Sequence, residues 1–537
     1  MPSLISPILY ALLTGGLYAL ALTNYIEGPP LGYLAWIALI PLHVAIDGLP
    51  PRQAFWRGWL AGLMVFVGTV YWVITAMHQY GRVPIFVSIL LMVLLATYLG
   101  LYVGLYSFGC TLLASRGPTF LFLGAPTLWV SLEYVRTYVL SGLPWGLLGY
   151  SQFRALPLIQ IADITGVYGV SFLVVLGNVA LFMVGRKWIT PLTSWSPPIP
   201  WKECVVSILL IFLVWLYGTW QLNTRQVSSP PTETLHIGLV QANIEQAQKW
   251  DEAFRGETMA RYTNLTLEAA QGTDLVIWPE AATPFLYEQE PSYQALVQSL
   301  VQRTQVPLVF GSPVLQRHPD GTPFLLNSVY TLDRSGEITG RYDKQHLVPF
   351  GEFIPLRWLL FFLDKLVVGI GDFEPGPGPT LLSIPSSSES PSPQFGVAIC
   401  YEVIFPHLVR NLANQGSNFL VTVTNDAWFG DSVAPYQHFV MVVFRAVENR
   451  MAFARSANTG ISGFIAPTGE ILSATPIFTQ QVLTGSIPLR TPSSFYTWAG
   501  DIFAWACVIL SMILLWLARS AYGSQSHLTH STHQQSS

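Results

Sequence analysis

Eight apolar runs, most of them about as long as a membrane-spanning helix, are the feature that most constrains the fold of this sequence. A helix needs about 20 apolar residues to cross the hydrocarbon core of a bilayer. The runs lie at residues 4–23, 31–47, 54–78, 84–115, 119–140, 159–184, 203–220 and 497–518. They predict a multi-pass α-helical membrane bundle of eight spans.

Charge is scarce and unevenly placed, which predicts two modules. The chain is 51% hydrophobic and 10% charged, against about 25% charged residues in ordinary soluble domains. Apolar runs dominate before residue 220, whereas residues 233–490 have the composition of a soluble α/β domain. The predicted domains are seven spans in 1–222, the extramembrane domain in 233–490, an eighth span in 495–519 and a disordered cytoplasmic tail in 520–537.

Loop charges predict the orientation, because Lys and Arg resist translocation across the membrane. With a cytoplasmic N-terminus, the inside segments hold Arg52, Arg57, Arg116, Arg186, Lys187, Lys202 and Arg519, and the outside loops hold Arg82, Arg136 and Arg154. This asymmetry favours cytoplasmic termini and an extramembrane domain on the outer face, which in a bacterium is the periplasm. The net charge of −4 and the lack of a basic stripe exclude nucleic acid as a partner.

One cysteine stands apart from the others. Cys110, Cys204 and Cys507 fall inside predicted spans, whereas Cys400 is alone in the extramembrane domain. Domains on an oxidising face usually pair their cysteines, so a solitary one is either buried filler or a reactive thiol.

Functional side chains follow three predicted strands of this domain. TDLVIWPE delivers Glu280, EITGRYDK delivers Lys344, and FGVAIC delivers Cys400, followed by Tyr401 and Glu402. The ends of strands in α/β sheets, where loops open, are the usual place for chemistry. We therefore expect these groups to lie close together.

A carboxylate, an ammonium and a thiol can together perform nucleophilic catalysis. The thiolate is the nucleophile but is scarce near a pKa of about 8.5, so a base must take the thiol proton. Glu280 can do so, while Lys344 and the backbone N–H of Tyr401 can stabilise an oxyanion. Taken singly, Glu280 also fits a helix cap, Lys344 a surface charge and Cys400 a core residue.

Three motifs in order resemble the carbon-nitrogen hydrolase, or nitrilase, superfamily: WPEAATP at 278–284, RYDKQHLVPFGEFIP at 341–355 and GVAICYEVIFP at 396–406. The resemblance implies an αββα sandwich with Glu280 as base, Lys344 as oxyanion stabiliser and Cys400 as nucleophile. Glu352 stands where that family often has a supporting glutamate, and Tyr401 and Glu402 are further supporting candidates.

The whole chain is similar to the bacterial apolipoprotein N-acyltransferase family. The resemblance rests on the eight runs and on SGLPWGLLGYSQ at 141–152, VQANIEQAQKW at 240–250, TNDAWFG at 424–430, QHF at 437–439 and RAVENR through RSANTGISG at 445–463. It implies a bacterial inner-membrane enzyme with a phospholipid acyl donor, a diacylated apolipoprotein acceptor, a Cys400 thioester intermediate and no metal or organic cofactor.

Four tryptophans are candidate substrate-binding residues. Trp358 belongs to an apolar stretch at 353–373 that predicts either an arm dipping into membrane lipid or packing on the helices. Trp250 and Trp428 are candidates for an acyl pocket, though Trp is also common filler. Trp145 fits an interfacial anchor better than a residue facing the site.

Two rival functions remain open. A tethered amidase or nitrilase would carry the same triad and pass its acyl group to water. A transporter or receptor with an inactive outer domain would be expected to have lost one of the three residues, and all three are present.

Overall fold

The computed structural model describes residues 5–189, 200–227, 233–354, 373–384, 392–490 and 494–534. The chain divides into two compact units. The helical unit comprises Met1–Tyr71, Ile89–Gln221 and Asp501–Ser537, and the sandwich unit comprises Trp72–Ser88 and Leu222–Gly500. The predicted arm at 353–373 falls almost wholly outside the described residues.

The α-helices are α1 Ile5–Ala21, α2 Ile40–Ile46, α3 Pro51–Val70, α4 Val73–Thr75, α5 Ile85–Ala114, α6 Pro118–Arg136, α7 Leu156–Ile159, α8 Ala162–Thr165, α9 Val167–Ile189, α10 Trp201–Val227, α11 Arg255–Ala269, α12 Pro291–Thr304, α13 Pro406–Asn414, α14 Ala434–Asn449, α15 Phe495–Ala499 and α16 Ile502–Gln534. The strands are β1 Thr234–Gln241, β2 Leu275–Ile277, β3 Leu308–Arg317, β4 Pro323–Leu332, β5 Ile338–Asp343, β6 Leu382–Ser383, β7 Gln394–Ile399, β8 Phe419–Thr424, β9 Phe453–Ala457, β10 Gly463–Ile465, β11 Ile471–Ala474 and β12 Gln481–Pro488.

Fewer helices than the eight predicted spans have the length and composition to cross a membrane. Among the described residues these are the four helices Ile85–Ala114, Val167–Arg186, Trp201–Thr224 and Ile502–Ser520, or five spans if the bent pair Pro51–Val70 and Val73–Tyr80 counts as one. The run at 31–47 is not one helix, since a 3-10 turn at Leu31–Trp36 precedes α2. Hydropathy averages across such breaks, so it cannot distinguish a continuous helix from a folded apolar segment.

The C-terminal segment also differs from the prediction. The backbone of α16 is helical as far as Gln534, where the sequence predicted a disordered tail from residue 520. Extending a helix that already exists avoids the unfavourable nucleation step, so a polar segment without a core can still continue one.

Two charged residues of α6 are buried in the helical unit. Glu133 and Arg136 are 4% and 3% exposed. Glu133 accepts hydrogen bonds from Trp129 Nε1 at 2.9 Å and from the backbone N–H of Leu148 at 2.8 Å. Arg136 donates to the carbonyl of Trp145 at 2.8 Å. Both charges therefore connect α6 to the segment that follows it.

The sandwich unit contains two six-stranded sheets, with strand orders β12-β1-β2-β3-β4-β5 and β11-β10-β9-β8-β7-β6. Apolar side chains of both sheets form a common core, among them Ile237, Val309, Val397, Val421 and Ala454. Helices α11 and α12 pack on the first sheet, and α13 and α14 contact the second. This arrangement confirms the αββα sandwich.

Residues 72–88 belong to the sandwich unit, although the predicted spans 54–78 and 84–115 include all of them except the loop 79–83. The ring of Trp72 contacts Phe429 edge-on at 4.7 Å between centroids, and that of Tyr80 contacts Trp428 at 5.6 Å. Aromatic packing on the loop after β8 thus joins this segment to the sandwich.

Candidate active site

Glu280 lies in the turn that follows β2, 7% exposed. Its Oε1 accepts a hydrogen bond from Asn327 Nδ2 at 2.8 Å, and its Oε2 accepts one from the backbone N–H of Asn425 at 2.9 Å. Asn327 lies in β4 and Asn425 follows β8, so groups from both sheets fix the carboxylate. Neither donor blocks both oxygens, which leaves lone pairs for proton transfer.

A close approach of β3 determines where the Glu280 turn lies. A Cβ at Gly311 would come 2.5 Å from the backbone nitrogen of Ala281 and 2.8 Å from the Cα of Glu280. Ala281 itself has φ of 44°, a conformation that L-residues adopt only at a cost. Glycine at 311 therefore allows the turn to pack directly on the strand.

Lys344 is 1% exposed and faces two carboxylates. Its Nζ donates to Glu352 Oε1 at 2.9 Å and lies 3.6 Å from Glu280 Oε1. Burial lowers the pKa of this ammonium, but Glu352, Glu280 and Cys400 outweigh that effect and raise it well above its usual range. Lys344 therefore keeps its proton and acts as a fixed positive charge.

Glu352 connects the parts of this cluster. Its Oε1 accepts from both Lys344 and Asn327, the latter at 2.9 Å, and its Oε2 accepts from the backbone N–H of Val348 at 2.8 Å. The structure therefore places Glu352 beside Lys344, where it orients the ammonium.

Cys400 follows β7 with φ of 51°, and the residue is partly exposed. Burial raises the pKa of the thiol and the Glu280 charge raises it further; Lys344 opposes both without reversing the shift. The resting group is accordingly a neutral thiol, and Glu280 is close enough to influence its pKa.

Glu402 joins the Cys400 loop to the Lys344 loop. One of its oxygens accepts from the backbone N–H of Ile399 at 2.7 Å, and the other accepts from Gln345 at 2.6 Å and His346 at 3.2 Å. Burial raises the pKa of this carboxyl to about 7, although these donors oppose the shift. Tyr401 stacks on His346 with centroids 5.8 Å apart.

A buried network of charged side chains contacts the backbone of Cys400. His438 Nε2 lies 3.2 Å from the carbonyl oxygen of Cys400 and carries the hydrogen of that contact, since a carbonyl only accepts. Asp426 lies 3.0 Å from His438 Nδ1 and accepts from Arg455 at 2.8 Å. Burial raises the pKa of Asp426, but Arg455 and His438 outweigh it and hold it at about 2. Asp426 is therefore a permanent anion behind the Cys400 loop.

Two known protein families match most of this chain. Residues 14–180 match the Apolipoprotein N-acyltransferase N-terminal domain, and residues 236–495 match the Carbon-nitrogen hydrolase family. A protein of Geobacter metallireducens named Apolipoprotein N-acyltransferase is 42% identical over 95% of this chain and 95% of its own length. This chain belongs to the apolipoprotein N-acyltransferase family.

Other members of the apolipoprotein N-acyltransferase family match over similar lengths. The protein of Azotobacter vinelandii is 32% identical over 94% of this chain and 93% of its own length. Among solved structures, an amidase from Nesterenkonia sp. is 20% identical, covering 48% of this chain and 91% of that one with a TM-score of 0.36. The match of residues 236–495 to the Carbon-nitrogen hydrolase family gives the sandwich unit its fold assignment.

The sequence analysis assigned no role to six residues that the structure places in or beside the site. They are Lys249, Asn327, Asn425, Asp426, His438 and Arg455. Asn425, Asp426 and His438 lie in the TNDAWFG and QHF motifs, so the resemblance marked their segments without indicating their contacts. Asn327 had no sequence signal, because its importance depends on β4 running beside β5.

The four candidate tryptophans have different surroundings. Trp250 and Trp428 are 49% and 41% exposed, whereas Trp145 is 1% exposed within the helical unit. Trp145 therefore differs from the exposed interfacial anchor that the sequence predicted, and Trp358 lies outside the described residues. Within the described ranges, no group of three His, Cys, Asp or Glu residues could hold a metal ion.

Proposed function

We propose that this protein transfers an acyl chain from a membrane phospholipid to the α-amino group of the diacylglyceryl-cysteine at the N-terminus of an apolipoprotein. The relatives at 42% and 32% identity are named Apolipoprotein N-acyltransferase. The observation that carries the proposal is the thiol of the partly exposed residue Cys400 beside the buried charges of Glu280 and Lys344.

In the first half-reaction, Glu280 takes the proton of the Cys400 thiol as Sγ attacks the ester carbonyl of the phospholipid. The Lys344 ammonium and the backbone N–H of Tyr401 stabilise the oxyanion of the tetrahedral intermediate. The carbon–oxygen bond then breaks, and Glu280 gives its proton to the departing lysophospholipid oxygen. A thioester on Cys400 remains.

In the second half-reaction, the amine of the apolipoprotein attacks the thioester carbonyl. Glu280 accepts a proton from the attacking nitrogen and returns one to the departing Cys400 sulfur, so the thiol is restored and an amide is released. Both half-reactions consist of proton transfer and acyl exchange, so we propose no cofactor.

Supporting residues fix the three groups in place. Glu352 orients Lys344 through the 2.9 Å contact, and Glu402 holds the loop that presents Cys400 and Tyr401. The exposed rings of Trp250 and Trp428 are proposed to contact the acyl chain, and Trp358 of the apolar 353–373 stretch to contact membrane lipid.

The proposed topology is the one that the sequence predicts. Eight segments cross the bacterial inner membrane, the termini face the cytoplasm, and the domain at 233–490 works in the periplasm. In the described part of the chain, four to five helices with the required length and composition support a membrane location. The excess of Lys and Arg in the segments assigned to the inside supports the orientation.

Intact mass spectrometry of the purified protein incubated with phospholipid tests this proposal. We expect a mass increase of one acyl chain on the native protein, which hydroxylamine and a diacylated lipopeptide with a free amine both remove. We expect Cys400→Ala to fold and to show no adduct. An adduct of equal yield on Cys400→Ala would contradict the assignment of the nucleophile.

The rate at which the adduct disappears separates the acyltransferase from a tethered hydrolase. An acyltransferase loses its acyl group to the lipopeptide much faster than to water. Equal rates with and without the lipopeptide would favour the hydrolase.

A further inference from the structure

Lys249 is a second buried lysine of the site, to which the proposed reaction assigns no role. It lies on the turn after β1 and is 4% exposed. Its Nζ donates to the backbone carbonyl of Glu280 at 3.1 Å, between residues 31 positions apart. Within the described ranges, this is the only hydrogen bond that its ammonium makes with the protein. Because an ammonium has three N–H groups, two of them have no described protein acceptor.

The electrostatic surroundings of Lys249 differ from those of Lys344. Lys344 is bonded to Glu352 and keeps its proton firmly. Burial lowers the pKa of Lys249 to about 8, although the charges of Glu280 and Cys400 oppose the shift. Lys249 thus lies within electrostatic range of both the base and the nucleophile.

We propose that the Lys249 ammonium binds the ester oxygen of the phospholipid that leaves when the Cys400 thioester forms. The inference rests on the proposed function. The leaving oxygen must come close to Glu280, which returns its proton to it, and Lys249 is anchored on the carbonyl of that residue. Lys344 stabilises the carbonyl oxyanion, so the two lysines serve different oxygens.

The reaction balances without proton loss from Lys249. Glu280 receives the thiol proton, the Sγ–carbon bond forms, the carbon–oxygen bond breaks and the proton passes from Glu280 to the glycerol oxygen. Lys249 donates a hydrogen bond to that oxygen while it carries negative charge. Alkoxides are poor leaving groups, so a nearby cation has its largest effect in this step.

Single-turnover acylation with two donors of equal chain length tests the inference. A phospholipid has a poor leaving group, whereas a p-nitrophenyl ester leaves without assistance. We expect Lys249→Met to slow acylation by the phospholipid about 100-fold and by the p-nitrophenyl ester less than about 5-fold. Lys249→Arg, which keeps a charged donor, should recover most of the loss. Equal losses on both donors would mean that Lys249 only shapes the Glu280 turn, and would overturn the inference.

The pH dependence of the native protein gives a test that needs no variant. The groups facing Lys249 are Glu280 from the β2 turn and Cys400 after β7, with Lys344 adjacent to both. Lys249 is charged below its pKa of about 8, so acylation by the phospholipid should decline as the pH rises through that value. The p-nitrophenyl ester should not show this decline. A phospholipid profile without the decline would count against the proposed role.

Two controls separate failure of this inference from failure of the proposed function. Lys202→Met makes the same change at an exposed residue of α10 and should leave both rates unchanged. If the native protein forms no thioester at all, the proposed function fails. If it forms the thioester and Lys249→Met does so equally fast from phospholipid, only the role of Lys249 fails.

Discussion

The two units both bury charged side chains but use them in different ways. In the helical unit, Glu133 and Arg136 bond to the indole of Trp129 and to backbone groups of the segment after α6. In the sandwich unit, the Lys344 ammonium lies 3.6 Å from Glu280 and 2.9 Å from Glu352, and the Glu280 and Lys344 charges act on the Cys400 thiol. Charges bonded to neutral groups stabilise a loop, whereas charges that face one another beside a thiol can perform the proposed chemistry.

Among the variants that test this comparison, removing the charge of Glu280 should lower the reaction rates most. Glu280→Gln keeps the shape of the side chain but cannot accept a proton, so both half-reactions should slow about 1,000-fold. The first is measured by single-turnover acylation with phospholipid. The second is measured by transfer to a lipopeptide after Cys400 has been loaded with a p-nitrophenyl ester. A loss in only one half-reaction would show that another group is the base in the other.

Removing the cation from the cluster of Lys344, Glu280 and Glu352 should mainly lower the stability of the protein. Lys344→Met leaves Glu280 and Glu352 buried without their cation, so the free energy of unfolding should fall by about 3 to 5 kcal/mol. Adding Glu352→Gln removes one of these uncompensated charges and should recover part of the loss while acylation stays impaired. Denaturant unfolding in detergent measures both variants. A double variant less stable than Lys344→Met would contradict the cluster's electrostatic basis.

The corresponding change in the helical unit should have the smallest effect. Glu133→Gln weakens the bonds from Trp129 and Leu148, which should cost about 1 to 2 kcal/mol of stability. Its acylation rate per folded molecule should stay within about 3-fold of native. The measurements are thermal unfolding and the single-turnover assay used for Glu280→Gln. If Glu133→Gln lost much of its acylation rate without losing stability, Glu133 would contribute to the reaction, and the distinction between the two buried clusters would fail.

The sequence predicted the sandwich and its three strand-end groups because both depend on local patterns. Alternating strands and helices appear in composition, and the motifs around Glu280, Lys344 and Cys400 are short. Glu352 was predicted for the same reason, since it lies eight residues after Lys344. In the structure Lys344 contacts Glu280 and Glu352, and the charges of Glu280 and Lys344 act on Cys400.

The sequence could not predict contacts between distant segments. Lys249 reaches the carbonyl of Glu280 across 31 positions, and Asn327 reaches Glu280 across 47. Such contacts depend on strand order, which apolar periodicity does not contain. The apolar runs also did not reveal the break in the helix before α2, because such a break has little effect on hydropathy.

The absence of a side chain at Gly311 makes the position of Glu280 sensitive to substitution at residue 311. A single methyl group there would meet the Glu280 turn at 2.5 Å, so one of the two partners would have to retreat. Every proton-transferring group would still be present, yet the carboxylate would be aimed elsewhere. The position of the Glu280 carboxylate thus depends on residue 311 having no Cβ.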